Sequence, residues 1–98
     1  MRTIYKYPVP VDGNPLSIPG LRKIVHVGQD PMGKATMWVE VDTDKPATLY
    51  HFGVIGTGHH IPDHSKHLGT FIDGPFVWHI YQFGVMAASG SIPEGDRE

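Results

Sequence analysis

Cysteine is absent from the 98 residues. That excludes disulfide frameworks, cysteine-ligated zinc and thiol catalysis together, and it suits a reducing compartment. No apolar run approaches the roughly 18 residues of a membrane span, and no charged-then-apolar leader opens the chain. Neither sign of charge prevails. The formal net charge is −2 with histidines neutral, so no global field draws the protein onto DNA, RNA or anionic lipid. Residues 1–83 hold seven basic against seven acidic side chains, while Arg97 stands against Glu94, Asp96 and Glu98. Any anionic ligand therefore needs a local pocket. These absences predict a soluble, unexported protein with neither a nucleic-acid polymer nor a membrane as partner.

Glycine and proline are abundant instead, at twelve and nine residues, and no dozen-residue window keeps a helical apolar period free of both. Short β-rich runs fill the gaps. Residues 3–7 alternate until Pro8 and Pro10, with 9–11 expected to continue as an edge. After the turn Asp12-Gly13-Asn14-Pro15, Leu16-Ser17-Ile18 is expected to pair back. Residues 21–27 and 35–41 read as a hairpin. The second run alternates most clearly, with Met37, Val39 and Val41 on one face and Thr36, Trp38 and Glu40 on the other. Residues 47–55 read as one long strand interrupted by Gly53, where a bulge or close backbone approach is expected.

Residues 56–67 read as a loop with at most one helical turn over 62–66. Residues 68–72 and 76–83 then form a hairpin around Asp73-Gly74. The fold class is all-β: a small antiparallel β-sandwich or partly open barrel of six to seven strands, in one domain over residues 1–83. Residues 84–98, small, polar and acidic, are expected to be a disordered tail. So short a chain has a thin core, which makes a homo-oligomer, dimer or tetramer, the expectation.

Seven histidines are present, and His59, His60, His64 and His67 fall within nine residues, with His26, His51 and His79 elsewhere. Neutral imidazoles suit zinc, nickel or copper, but the 60/64 and 64/67 spacings converge only on a helix that Pro62 and the glycines deny. No metal and no cofactor is expected. Histidine also serves as general acid or base. None of Ser17, Ser65, Ser89 and Ser91 sits in a nucleophile elbow. A paired-histidine phosphodiesterase built from two of His51, His59, His60 and His79 stays open, with no rule for the pairing.

Gly56-Thr57-Gly58 lets backbone N–H groups turn toward an anion beside a hydroxyl, with His59 and Lys66 as further donors. It is neither a Walker loop nor GxGxxG, and a plain strand-ending glycine turn is the alternative. Tyr5, Tyr7, Trp38, Tyr50, Phe52, Trp78 and Tyr81 all fall in predicted strands, where core or oligomer contacts are their commonest use. Stacking on a base is worth about 1–3 kcal/mol in single-strand binders, and Trp38, opposite the Met37-Val39-Val41 face, is the first candidate. Arg2 and Lys6 flank the tyrosines of the first run.

Arg2-Thr3-Ile4-Tyr5-Lys6-Tyr7-Pro8, the segment 52–59 with Gly-Thr-Gly-His, Gly69-Thr70 and Phe76-Val77-Trp78-His79 stand in an order that resembles a family of small bacteriophage proteins known as a domain of unknown function. That family is similar to the viral sponge proteins that disarm cyclic-nucleotide immune signalling, the anti-CBASS and anti-Thoeris type. The resemblance covers residues 2–81. It departs in one place: in the family's pattern proline follows the Gly-Thr-Gly-His histidine directly, whereas here His60 and Ile61 intervene before Pro62.

The resemblance implies a non-enzymatic sponge in the cytoplasm of an infected bacterial host, sequestering a cyclic dinucleotide or other nucleotide second messenger. Gly56, Thr57, Gly58 and His59 would hold phosphate or ribose oxygens, Arg2 or Lys6 would neutralise charge, and Tyr5, Trp38 or Trp78 would stack bases. Forty to fifty ligand heavy atoms at about −0.3 kcal/mol each give roughly −12 to −15 kcal/mol, nanomolar or tighter. A pocket shared between subunits on a two-fold axis would accommodate such a ligand. The rival expectations are a structural or interaction protein without a small ligand, and a histidine-based nucleotide-cleaving enzyme.

Overall fold

The computed structural model describes residues 1–84. Their glycine and proline punctuation leaves eight short strands and no helix: β1 (Arg2–Pro8), β2 (Leu16–Pro19), β3 (Leu21–Gln29), β4 (Ala35–Asp42), β5 (Ala47–Tyr50), β6 (Phe52–Gly56), β7 (Lys66–Asp73) and β8 (Phe76–Gln82). They form three antiparallel sheets, ordered β1-β4-β3, β2-β5 and β6-β8-β7, with no closed barrel. No helix among the described residues is long and apolar enough to cross a membrane. The expected tail, from residue 85 onward, lies outside the described residues.

The alternation along β4 decides the core. Met37, Val39 and Val41 are fully buried, as their shared face requires, and Val9, Ile18, Val27, Phe52 and Ile80 close around them. All three sheets therefore feed one apolar centre, each large aliphatic contributing on the order of 1.5–3 kcal/mol. Thr36 is buried on the other side of β4, and its hydroxyl donates to the Lys34 carbonyl at 2.8 Å. Edge strand β3 runs against edge strand β7. The β7 backbone comes so close to the Val27 side chain that a Cβ on Gly69 would overlap its methyl.

Several local expectations are corrected. β2 pairs not with β1 but with β5, Leu16 opposite Tyr50 and Ile18 opposite Thr48, because Ile18 is drawn into the core there. The run 47–55 is two strands, broken at His51: β5 serves the β2 sheet and β6 the β8 sheet. That split raises the strand count to eight. Gly53 is nevertheless a close approach, since a Cβ there would enter the Phe83 ring. β1 ends at Pro8, and the Val9 N–H donates to the Ala35 carbonyl at 3.0 Å. No helical turn forms over 62–66: a turn at Asp63-His64, with His64 at φ 62°, leads through Ser65 into β7. His67 thus lies on a strand.

The hairpin at Asp73-Gly74 closes in two residues, since Asp73 pairs with Phe76. Gly74 has φ +57° and Pro75 has its ring-fixed negative φ, the combination of a type II′ turn.

Candidate functional site

β6 stops at Gly56, opposite Trp78, while β8 begins two residues further out at Phe76. The departing chain turns at once. The His59 N–H donates to the Gly56 carbonyl at 3.0 Å, and Gly58, at φ +89°, takes the corner that a type II turn reserves for glycine. The strand-ending glycine turn is therefore how this backbone is built, and the His59 N–H is engaged within it.

The step between the short and the long strand opens a cavity of about 400 Å³, lined by Gly56, Thr57, His59, Pro75, Phe76, Val77 and Trp78. Phe76 and Trp78, two apart on one strand face, stack with centroids 5.7 Å apart and planes 26° apart. Phe76 is 57% exposed. The His59 imidazole lies over Gly56: a Cβ there would be 2.9 Å from Nδ1 and 3.3 Å from Trp78 Cζ3. Two nearly parallel rings, an imidazole and one hydroxyl around the same opening suit a flat heterocycle bearing oxygen acceptors.

Thr57 connects this cavity to a line of polar groups across the sheet. Its Oγ1 is 2.9 Å from His79 Nε2, His79 Nδ1 is 2.9 Å from Thr70 Oγ1, and Thr70 Oγ1 is 2.9 Å from His67 Nε2. Strand register makes the line, since Thr70 pairs with His79 and His67 with Tyr81, whose ring meets His67 edge-on at 5.3 Å. Each hydroxyl has one proton, and a neutral imidazole has one donor and one acceptor, so the line can point either way, but in one direction at a time. When His79 Nε2 donates to Thr57, the Thr57 proton is available to a ligand.

The structure thus brings together Gly56, Thr57, His59 and Trp78, with Gly58 at the corner of their turn. Arg2, Tyr5, Lys6 and Trp38 are elsewhere, on the β1-β4-β3 sheet. Arg2 donates to Glu40 from Nη2 at 2.6 Å and Nε at 3.1 Å, and Arg22 Nε reaches the same carboxylate oxygen at 3.1 Å. The Arg2 hydrogen bond, more than Arg22, holds the Glu40 carboxyl below its usual range. Lys6 stands opposite Trp38, which is tilted against His26 at 5.6 Å, and Tyr5 meets Tyr7 edge-on at 6.3 Å. Among the described residues no group of three or more His, Asp or Glu converges as metal ligands.

Phe76, Thr70 and the His67–His79 line are site features the residue-by-residue reading misses. The signal was present in the turn: a two-residue hairpin at Gly74-Pro75 counts back to the pairs 71/78 and 70/79.

The chain matches the model of a domain of unknown function, DUF7352, over residues 1–88, and it belongs to that family. No curated protein and no solved structure matches it.

Proposed function

We propose that the protein binds a nucleotide-derived signal, a cyclic dinucleotide or related nucleotide, in the cavity at Gly56–His59 and holds it without cleaving it. The observation that carries this reading is the stacked Phe76–Trp78 pair facing Thr57 and His59 around one opening of about 400 Å³. The rings would take a base, and the hydroxyl and imidazole would donate to ribose or phosphate oxygens. That volume lies near the lower end of the roughly 300–1,000 Å³ typical of ligand pockets. It suits one half of a cyclic dinucleotide, so a second copy of the chain would supply the other half about a two-fold axis. Exposed Ile72, Phe76 and Val77 provide apolar surface for that contact. The protein would then be a dimer or tetramer that acts as a phage anti-defence sponge in the host cytoplasm.

Incubation with candidate cyclic nucleotides, removal of free ligand, heat release and chromatography test the reading. Recovery of intact ligand supports it, and absence of retention at any concentration favours a purely structural role. Light scattering checks the shared pocket: a mass near 10.8 kDa at micromolar concentration would count against it. A second reading, a nucleotide-cleaving enzyme, is favoured by the Thr57–His79–Thr70–His67 line, which offers a proton path ending at the cavity. Fragments in the released material would select it.

A further inference from the structure

A second opening lies at the far end of the same polar line, in the seam where β3 meets β7. It holds about 290 Å³ and is lined by Arg22 and Lys23 from β3, Lys66 and His67 from β7, and Gln82 from β8, over apolar neighbours. No carboxylate is among its lining residues. Glu40, the register partner of Lys23, is bonded by both Arg2 and Arg22 and feels the charge of Lys23 as well. One carboxylate thus stands against several cations, in a segment whose overall charge is zero. The positive charge has been gathered locally.

Backbone irregularity is gathered there too. Among the described strand pairs, the register shifts between Leu21 and Lys23, between Ile24 and His26, and between His67 and Gly69. All three border this seam. Bulges re-aim side chains and are over-represented beside functional sites, and here they coincide with the cationic residues.

We infer that this seam is an oxyanion subsite, taking the phosphate groups of the ligand whose base occupies the aromatic cavity. His67 lines the seam, Thr57 lines the cavity, and the hydrogen-bonded line from His67 through Thr70 and His79 to Thr57 joins them. Phe76 and Trp78 stand on the face of β8 opposite His79, so a nucleotide spanning both openings passes the β6 edge at Thr57 between the rings at one end and the ammonium and guanidinium groups at the other. Lys23 and Lys66 supply point charges, and Arg22, whose Nε is held by Glu40, has its two Nη groups left for a phosphate. This inference rests on the cavity reading for the base but not for the anion.

The test uses Lys23→Gln/Lys66→Gln in the full chain, with melting temperature as the check on folding, since both side chains are exposed. Three probes are titrated: pyrophosphate, an unphosphorylated nucleoside, and the cyclic dinucleotide. Wild type is expected to bind pyrophosphate with a steep salt dependence. The double variant is expected to lose pyrophosphate, to bind the dinucleotide at least tenfold more weakly, and to bind the nucleoside as wild type does. Dinucleotide affinity unchanged in the double variant, or wild type failing to bind pyrophosphate, overturns the seam while leaving the cavity intact. Nucleoside binding that is absent in wild type, or unmoved by Trp78→Ala, overturns the cavity instead. A single-stranded oligonucleotide bound more tightly than the dinucleotide overturns the small-ligand reading of the seam in favour of a polyanion.

Discussion

The Thr57 hydroxyl lies 2.9 Å from His79 Nε2 although 22 residues separate the two. One small side chain therefore borders the cavity and also ends the polar line across the sheet.

Replacing that hydroxyl should affect binding and not folding. Thr57→Val keeps the shape and removes a donor, and His59→Ala removes a second. Each loses a hydrogen bond to a charged group, worth about 1.5–3 kcal/mol, so nucleotide affinity should fall roughly ten- to a hundredfold. Thr57→Ser should restore it. Both positions are exposed, so melting temperature without ligand should barely move. Calorimetric titration beside a thermal melt distinguishes this from a buried structural histidine, for which stability would fall first.

Gly56→Ala tests whether His59 must lie where it does. The added methyl would contact the imidazole at 2.9 Å and the indole at 3.3 Å. The exposed imidazole can swing away, so the stability cost should stay within about 1 kcal/mol. Binding should weaken because the displaced ring no longer walls the cavity. A variant that unfolds in urea like wild type and binds like wild type would remove His59 from the site.

Gly69→Ala should do the opposite and destabilise the fold. Its methyl would overlap the side chain of Val27, a buried core residue. Overpacking of this kind costs about 1–3 kcal/mol, readable as a lowered urea midpoint. Gly69→Ala combined with Val27→Ala should recover part of the loss by making room.

Stability should fall in acid for identified reasons. The Lys34 and Met32 N–H groups, each 2.9 Å from Asp30 Oδ1, hold the Asp30 carboxyl below its ordinary range, the Lys34 bond contributing most. Arg2, followed by Arg22, does the same for Glu40. The folded chain then binds fewer protons than the unfolded chain as pH drops through about 4. The stabilisation is fully present above the unfolded pKa values and is lost as pH falls toward the depressed folded ones. Melting curves below about pH 5 should show this decline, and Asp30→Asn with Glu40→Gln should make it shallower. An unchanged acid limb in the double variant would assign the decline to other groups.

The legible parts of the molecule are those fixed by short-range chemistry. Met37, Val39 and Val41 alternate within seven residues of sequence, and the Gly56–His59 and Asp73–Phe76 turns declare themselves through their glycines. The break at His51 was hidden because residues 47–55 carry one continuous β-rich composition. Only Phe52 entering the core while β5 turns to β2 divides them. Likewise nothing local pairs Leu16 with Tyr50, or places Lys23 beside Lys66. Those neighbours arise from sheet order, which a single run of residues does not contain. Arg2, Tyr5, Lys6 and Trp38 stand on a different sheet from the glycine turn, and their charge and aromatic character carry no information about that distance.

The two-residue overhang of β8 beyond Gly56 also bears on solubility. An exposed strand edge offers unpaired N–H and C=O groups to any other chain, and it invites edge-to-edge aggregation when long and flat. Successive residues of a strand aim these groups to opposite sides, so of Phe76 and Val77 only one presents its pair outward. The Thr57–His59 turn then caps the edge. A small planar molecule can use two backbone groups, but an invading strand needs a row of them, so the opening admits a ligand without becoming a template for polymerisation.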